Sequence, residues 1–182
     1  MLVCDGTNIK EIKMQGNQRQ TLRIAYCSGL IDGEGSICVT KTKPMQNRTN
    51  PLHAPLIRVG MKEENPMKFL QETFGCGKIY YEGFRQDRPN QNPMFRWVVT
   101  NRDDVVKVID LILPFLLVKR KQALLVKEMC LGWVLAHSKK LGTYPEEIQR
   151  RQDFYIKCKE LNAVGVAATT KPKNSREVEA IV

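Results

Sequence analysis

Hydrophobic and polar positions along the first half of the chain change their period several times. The pattern predicts, in order, a helix over 20–32, strands over 36–43 and 56–62 separated by a polar loop over 44–55, and a short helix over 66–74. Gly33, Glu34 and Gly35 are expected to end the first helix, because glycine accepts the positive φ of a C-terminal cap.

The same arrangement then repeats in the second half. The pattern predicts strands over 78–82 and 95–100 around a polar loop over 83–93, and then helices over 103–113, 119–136 and 145–161. This order, αββαββα with appended helices, indicates an α+β fold in which helices cover one face of an antiparallel sheet. We expect a loose arm over 1–19, one domain over 20–162 and a tail over 163–182.

Strand alternation leaves one sheet face without an apolar row, and this open face is the predicted nucleic-acid surface. It would carry Ser36, Cys38, Thr40, Thr42, Arg58, Lys78, Tyr80, Glu82, Arg96 and Val98, with Arg48, Arg85 and Arg88 in the adjoining loops. The alternatives are an ordinary solvated face, or arginines that pair with acids such as Glu82. A slip of one residue in the strands would exchange the two faces.

Charge and cysteine usage narrow the possible partners. The net charge of +10 favours a polyanionic partner, although a merely soluble basic protein and an anionic membrane surface are alternatives. A membrane is less favoured, because no basic amphipathic helix with an aromatic face and no apolar run of spanning length is found. The six cysteines are scattered without zinc-ligand spacing, which predicts free thiols inside a cell.

Two carboxylates, Asp32 and Glu34, stand at the C-terminal end of the first predicted helix. Acids are unfavourable there, because the helix end carries partial negative charge, and no basic residue three or four positions earlier compensates. Metal binding would explain them. The alternative is that Asp32 makes a local turn hydrogen bond and Glu34 is solvated.

Small residues on the same helix suggest a subunit contact. Gly29 and Gly33 are four positions apart, with Ser28 beside them, and this spacing allows two helix backbones to approach closely. A second copy of the chain, packed through Ser28, Gly29, Asp32 and Gly33, would bring two Glu34 carboxylates together near a symmetry axis.

The run SGLIDGEGS over 28–36 closely resembles the signature of the LAGLIDADG homing endonucleases. The resemblance extends over about 23–162, and the run PFLLVKRKQ over 114–122 is similar to the family segment that bears an active-site lysine, here Lys119. The resemblance implies a saddle-shaped sheet over double-stranded DNA and cleavage of both strands across the minor groove at a long pseudo-palindromic target. Because no second motif is found, it also implies a homodimer.

The resemblance further implies roles for the residues around the motif. Glu34 would bind Mg²⁺, with Gly33 beside it, and Mn²⁺ or Ca²⁺ could occupy the same site; Asp32 would be structural and cap the helix end. Lys119 would stabilise transition-state charge or anchor a phosphate, and the sequence leaves both roles open.

The sequence differs from the family pattern at two positions, and two other functions are possible for a protein with this motif. Glu34 stands where aspartate is commonest, and Met61 stands where a polar residue often orders water, so Lys62 is a candidate to replace it. The rivals are a maturase that binds intron RNA and a DNA-binding protein that does not cleave; an intact Glu34 favours cleavage.

Overall fold

The computed structural model describes residues 16–42, 51–84, 92–133 and 144–167. Its elements are α1 (Gly16–Glu34), β1 (Gly35–Thr42), β2 (Leu52–Met61), α2 (Asn65–Phe74), β3 (Lys78–Glu82), β4 (Met94–Val99), α3 (Arg102–Ile112), a 3₁₀ turn (Leu113–Phe115), α4 (Arg120–Leu131) and α5 (Pro145–Ala167). The predicted α+β class and the order αββαββα are confirmed.

The four strands form one antiparallel sheet in the order β1-β2-β4-β3. On one face, Ile37 pairs with Ile57 and Val59 pairs with Trp97, and all four side chains are buried beneath the helices. The predicted strand alternation is therefore correct in register. The helices cover this apolar face and leave the other face open.

Local signals explain where several helices begin and end. The Asn101 side chain accepts hydrogen bonds from the N–H groups of Asp103 and Asp104, which caps α3. Pro66 lies in the first turn of α2, and Gly75, with φ of 66°, ends that helix in the left-handed conformation.

The C-terminal end of α1 differs from the expectation. The helix begins earlier, at Gly16, and continues through Glu34, and no residue of 33–35 has positive φ. A Cβ on Gly35 would lie 2.5 Å from the carbonyl oxygen of Ile31. Gly35 is therefore required by the close approach of β1 to the last helical turn, and the predicted left-handed cap is wrong.

Strand β2 begins at Leu52, so the loop predicted over 44–55 is wrong for its last four residues; residues 43–50 lie outside the described part. Pro55 is accommodated because β4 pairs only with Ile57–Met61. Pro55 lies opposite Val39 of β1, and no strand pairs with β2 on its other side at this position. Proline has no N–H group, but none is needed on the unpaired side, so no hydrogen bond between strands is lost.

The C-terminal helices also differ in length from the prediction. Helix α4 ends at Leu131, and neither Gly132 nor Trp133 is helical, so the prediction of one helix over 119–136 is wrong beyond Leu131. Residues 134–143 lie outside the described part. Helix α5 continues to Ala167, six residues beyond the predicted end of the helix at 161. The tail predicted over 163–182 stays a prediction. Helix α5 docks on β1 and β2 through buried His53, whose Nε2 lies 3.0 Å from the Gln152 side-chain oxygen.

Candidate active site

The last turn of α1 holds the segment that leads into α4. The Asp32 carboxylate accepts three backbone hydrogen bonds, from the N–H groups of Leu117 at 2.7 Å, Val118 at 2.9 Å and Lys119 at 2.8 Å. We call this arrangement the Asp32 clamp. The predicted structural role of Asp32 is therefore present, but its carboxylate bonds the segment that leads into α4 and is not a helix cap, because α4 begins at Arg120 without a side-chain cap.

The clamp also places the Lys119 side chain. Its Nζ donates to the backbone carbonyl oxygen of Asp32, at the negative end of α1, and Lys119 itself immediately precedes α4. Both the backbone N–H and the side-chain amine of Lys119 are therefore bonded to Asp32, which lies two positions before Glu34.

Electrostatics at the clamp favour a charged Asp32. Burial raises the pKa of the Asp32 carboxyl, but the hydrogen bonds from Val118, Lys119 and Leu117, together with the Lys119 charge, more than offset this. The net effect lowers the pKa below its usual value. Asp32 is thus anionic at neutral pH and is engaged within its own subunit.

Glu34 has the opposite environment. It is exposed at the end of α1, and no hydrogen bond or ion pair within the described part of the chain engages its carboxylate. The neighbouring Gly33 is also exposed. No group of three or more metal-ligating side chains is found among the described residues, so one subunit supplies a single available carboxylate here.

Met61, one of the two departures, and its candidate replacement Lys62 have different environments at the end of β2. Met61 pairs with Phe95 and packs against the core, whereas Lys62 follows the strand and is exposed. The structure gives Lys62 no hydrogen bond or ion pair among the described residues, so its catalytic role stays a prediction.

The open face carries all ten strand residues that were predicted for it. Register partners place Ser36, Arg58, Val98 and Lys78 in one row across the four strands, and Cys38, Thr40, Thr42, Tyr80, Glu82 and Arg96 lie on the same face. Arg48, Arg85 and Arg88 lie outside the described residues. The faces are therefore not exchanged, and the DNA contacts of these residues stay a prediction.

One arginine on this face is paired with an acid, as the alternative interpretation foresaw. Arg96 Nη2 lies 2.9 Å from Glu82 Oε2, and Arg96 Nε donates to Met94 Sδ at 3.4 Å. Sequence periodicity placed Arg96 and Glu82 on one face, but it did not single out Met94 or the adjacent Gly60, which leaves space for the arginine stem.

The exposed side of α1 is free of contacts at the predicted interface glycines. An added Cβ on Gly29 or Gly33 would meet nothing within 4 Å, and Leu22 and Tyr26 extend the same exposed stripe. Ser28 lies on the other side, fully buried, with its hydroxyl donating to the Ile24 carbonyl. Its side chain therefore belongs to the core of its own subunit.

Sequence reasoning missed one exposed apolar pair beside the site. Leu117 and Val118 are 88% and 72% exposed, although they continue the apolar run that begins at Leu113. The signal was Pro114, which breaks the helix and leaves an extended segment in which only Leu116 is buried.

The structure is thus an α+β protein with an open antiparallel sheet face and an exposed carboxylate, Glu34, on the helical turn to which Lys119 is bonded. A family model described as LAGLIDADG endonuclease matches residues 27–127, and the chain belongs to this family. As a member of this family, the chain is an endonuclease. No curated protein sequence matches the chain at a significant level.

Solved structures show the same fold. The homing endonuclease I-CvuI, in complex with the I-CreI target, superposes with a TM-score of 0.64 at 18% identity over 88% of each chain. The archaeal intron-encoded homing endonuclease I-Vdi141I, complexed with DNA, gives a TM-score of 0.60 at 19% identity, over 86% of this chain and 89% of the other. None of the described helices is long and apolar enough to cross a bilayer.

Proposed function

We propose that this endonuclease works inside the cell as a homodimer, holds Mg²⁺ with Glu34 of each subunit, and cuts both strands of a long pseudo-palindromic DNA target. The observation that carries the proposal is the Asp32 clamp. It fixes the Lys119 amine against the same helical turn that presents the unengaged Glu34 carboxylate. The Lys119 amine is thus bonded to the main chain two positions before Glu34, which supports a role for both side chains at one scissile phosphate.

The donor set fits magnesium. Mg²⁺ takes oxygen ligands, keeps several waters and is commonly held by one or two carboxylates together with substrate phosphates. One Glu34 per subunit, with Gly33 beside it, matches this requirement once a second subunit and DNA are present. Mn²⁺ and Ca²⁺ also accept oxygen ligands. I-CvuI was crystallised with the I-CreI target in the presence of Mg and with its own target in the presence of Ca.

Glu34 and Lys119 would have different roles in phosphodiester hydrolysis. When bound, the metal would activate a water and stabilise the leaving oxygen. Glu34 holds the metal, and Lys119 places a positive charge where charge develops on the phosphate. The hydrogen bond from Lys119 Nζ to the Asp32 carbonyl directs the amine before substrate arrives.

The exposed glycine stripe of α1 supports the proposed homodimer. Since Gly29 and Gly33 leave the helix surface open, a second α1 can approach closely along this line. Leu22 and Tyr26 add apolar contact area to the same stripe. Both Glu34 carboxylates would then lie near the dimer axis, one for each DNA strand.

The open face would bind the DNA on either side of this axis. Among its described residues Arg58, Lys78 and Arg96 are cationic and Glu82 is anionic, which leaves a net positive surface. A strand of 10 residues such as β2 spans about 33 Å, or roughly 10 base pairs per subunit.

A cleavage assay tests the proposal. The protein is incubated with DNA that carries candidate intron-insertion sequences, with magnesium or with EDTA. Double-strand cuts that require the metal support it. Sequence-selective binding without cuts would identify a DNA-binding protein instead, and rescue of intron splicing without DNA cleavage would identify a maturase.

A further inference from the structure

We infer that Glu82 and Gly60 are positioning residues that fix Arg96 as a guanine-reading side chain on the open face. The inference rests on the proposed function, because it specifies how one part of the sheet selects a base. Both residues act through Arg96 and need not touch the DNA themselves.

Arg96 is held from two directions. Its Nη2 pairs with Glu82 Oε2 at 2.9 Å from the edge strand β3, and its Nε donates to Met94 Sδ at 3.4 Å within β4. Its side chain is only 20% exposed, against 52% for Lys68, which forms an ion pair on α2. The guanidinium is therefore much more restricted than an ordinary surface cation.

Gly60 makes this arrangement possible. It is the β2 register partner of Arg96, and a Cβ at Gly60 would lie 3.4 Å from Arg96 Cγ and 3.3 Å from Met94 Sδ. The arginine stem therefore lies across β2 at a position without a side chain. A Cβ there would crowd both Met94 Sδ and the arginine stem, so these side chains would have to shift by a few tenths of an ångström.

The remaining donors match one base. A guanidinium has five N–H groups, and Arg96 uses Nε and one N–H of Nη2 on its described partners. The two N–H groups of Nη1 and the second of Nη2 remain, and they form the end-on edge of the fork. This edge can donate two parallel hydrogen bonds to O6 and N7 of guanine in the major groove, the commonest arginine contact with a base.

Glu82 is an unfavourable residue on a DNA-binding surface, and its role in fixing Arg96 explains why it is there. A carboxylate on a DNA-facing surface repels phosphates and weakens binding to every sequence. It also holds the guanidinium in one place, which favours the sequence that offers guanine there. Glu82 therefore decreases affinity in general and increases discrimination, and these two effects can be measured separately.

The test is binding-site selection from randomised duplexes by the full chain in EDTA, together with affinity for random DNA across a salt series. In Glu82→Gln, guanine preference at one position of each half-site should fall roughly fivefold or more. Affinity for random DNA should rise roughly two- to fivefold at low salt. Glu82→Asp should retain part of the preference, and Gly60→Ala should weaken it without raising affinity for random DNA.

The control is Glu64→Gln, which removes a carboxylate paired with Lys68 at 2.6 Å on α2, away from the open face. It should leave the preference unchanged, and thermal melting should show that every variant is folded. A profile unchanged in both Glu82→Gln and Gly60→Ala, or a uniform loss of affinity, would overturn the inference. A parent protein that selects no sequence would overturn the proposed site specificity itself.

Discussion

The Asp32 clamp can be tested by replacing one carboxylate oxygen with an amide nitrogen. Asp32→Asn keeps the size of the side chain but leaves one acceptor oxygen for the three N–H groups of Leu117, Val118 and Lys119. The new NH₂ group is a donor and cannot accept, so at least one of the three backbone N–H groups would lose its hydrogen-bond acceptor. The variant also removes the negative charge at the start of α4.

The expected magnitude follows from the geometry. A hydrogen bond to a charged group contributes about 1.5–3 kcal/mol to the free energy of unfolding. Leu117 and Val118 are exposed, so water can replace part of what their N–H groups lose, whereas Lys119 is half-buried. We expect a total loss of about 2 kcal/mol, which lowers Tm by roughly 4–8 °C for a chain of this size. Melting curves must be compared at equal protein concentration, because a dimer melts with a concentration-dependent Tm.

The matched control is Asp103→Asn, which removes an exposed carboxylate from the first turn of α3. It should lower the stability by about 0.3–1 kcal/mol, which is the effect of one charge at a helix N-terminus. Cleavage by Asp32→Asn should fall roughly 10- to 100-fold with DNA binding retained, because Lys119 is displaced. Equal stability losses in the two variants, or unchanged cleavage, would refute the clamp as the element that positions Lys119.

Four further predictions follow from the site and the fold. Glu34→Gln should bind DNA like the parent and lose cleavage in magnesium, because it removes the metal-binding charge and keeps the shape; cleavage at the parent rate would exclude Glu34 as the ligand. Gly29→Leu or Gly33→Leu should leave the subunit folded, since a Cβ there meets nothing, and should disrupt the dimer in sedimentation; a parent that stays monomeric with and without DNA would exclude this interface. Arg58→Ala should relax preference at particular base pairs by about 1–3 kcal/mol without unfolding the protein, whereas a uniform loss of affinity in binding-site selection would indicate a phosphate contact. Burial lowers the pKa of His53 below its usual value of 6.5, so the folded state favours the neutral imidazole. The free energy of unfolding should therefore decrease as the pH falls from 6.5 through the pKa of the folded state. Urea unfolding at pH 7.5 and 5.5 should show this decrease in the parent and a smaller one in His53→Gln.

Local patterns in the sequence determined most of the architecture. Alternation of apolar and polar residues is a property of each strand alone, so it assigned Ile57 and Val59 to the core and Arg58 to the open face before any pairing was known. The motif around Glu34 likewise indicated the family, because its residue types and spacing are contained in one short run.

Contacts between distant parts of the chain were decided only by the tertiary structure. Asp32 binds N–H groups 85 to 87 positions away, so no local pattern could show that its carboxylate holds the segment before α4.

Arg96 shows the same difference between what a local pattern determines and what the tertiary structure decides. Periodicity assigned it to the open face, but the absence of a side chain at Gly60 and the carboxylate of Glu82 on a neighbouring strand determine where its guanidinium lies. A side chain's face depends on its own strand, whereas its partners depend on which strands become neighbours and in what register. That register is set by the packing of the whole sheet against its helices, which is why only the folded structure contains it.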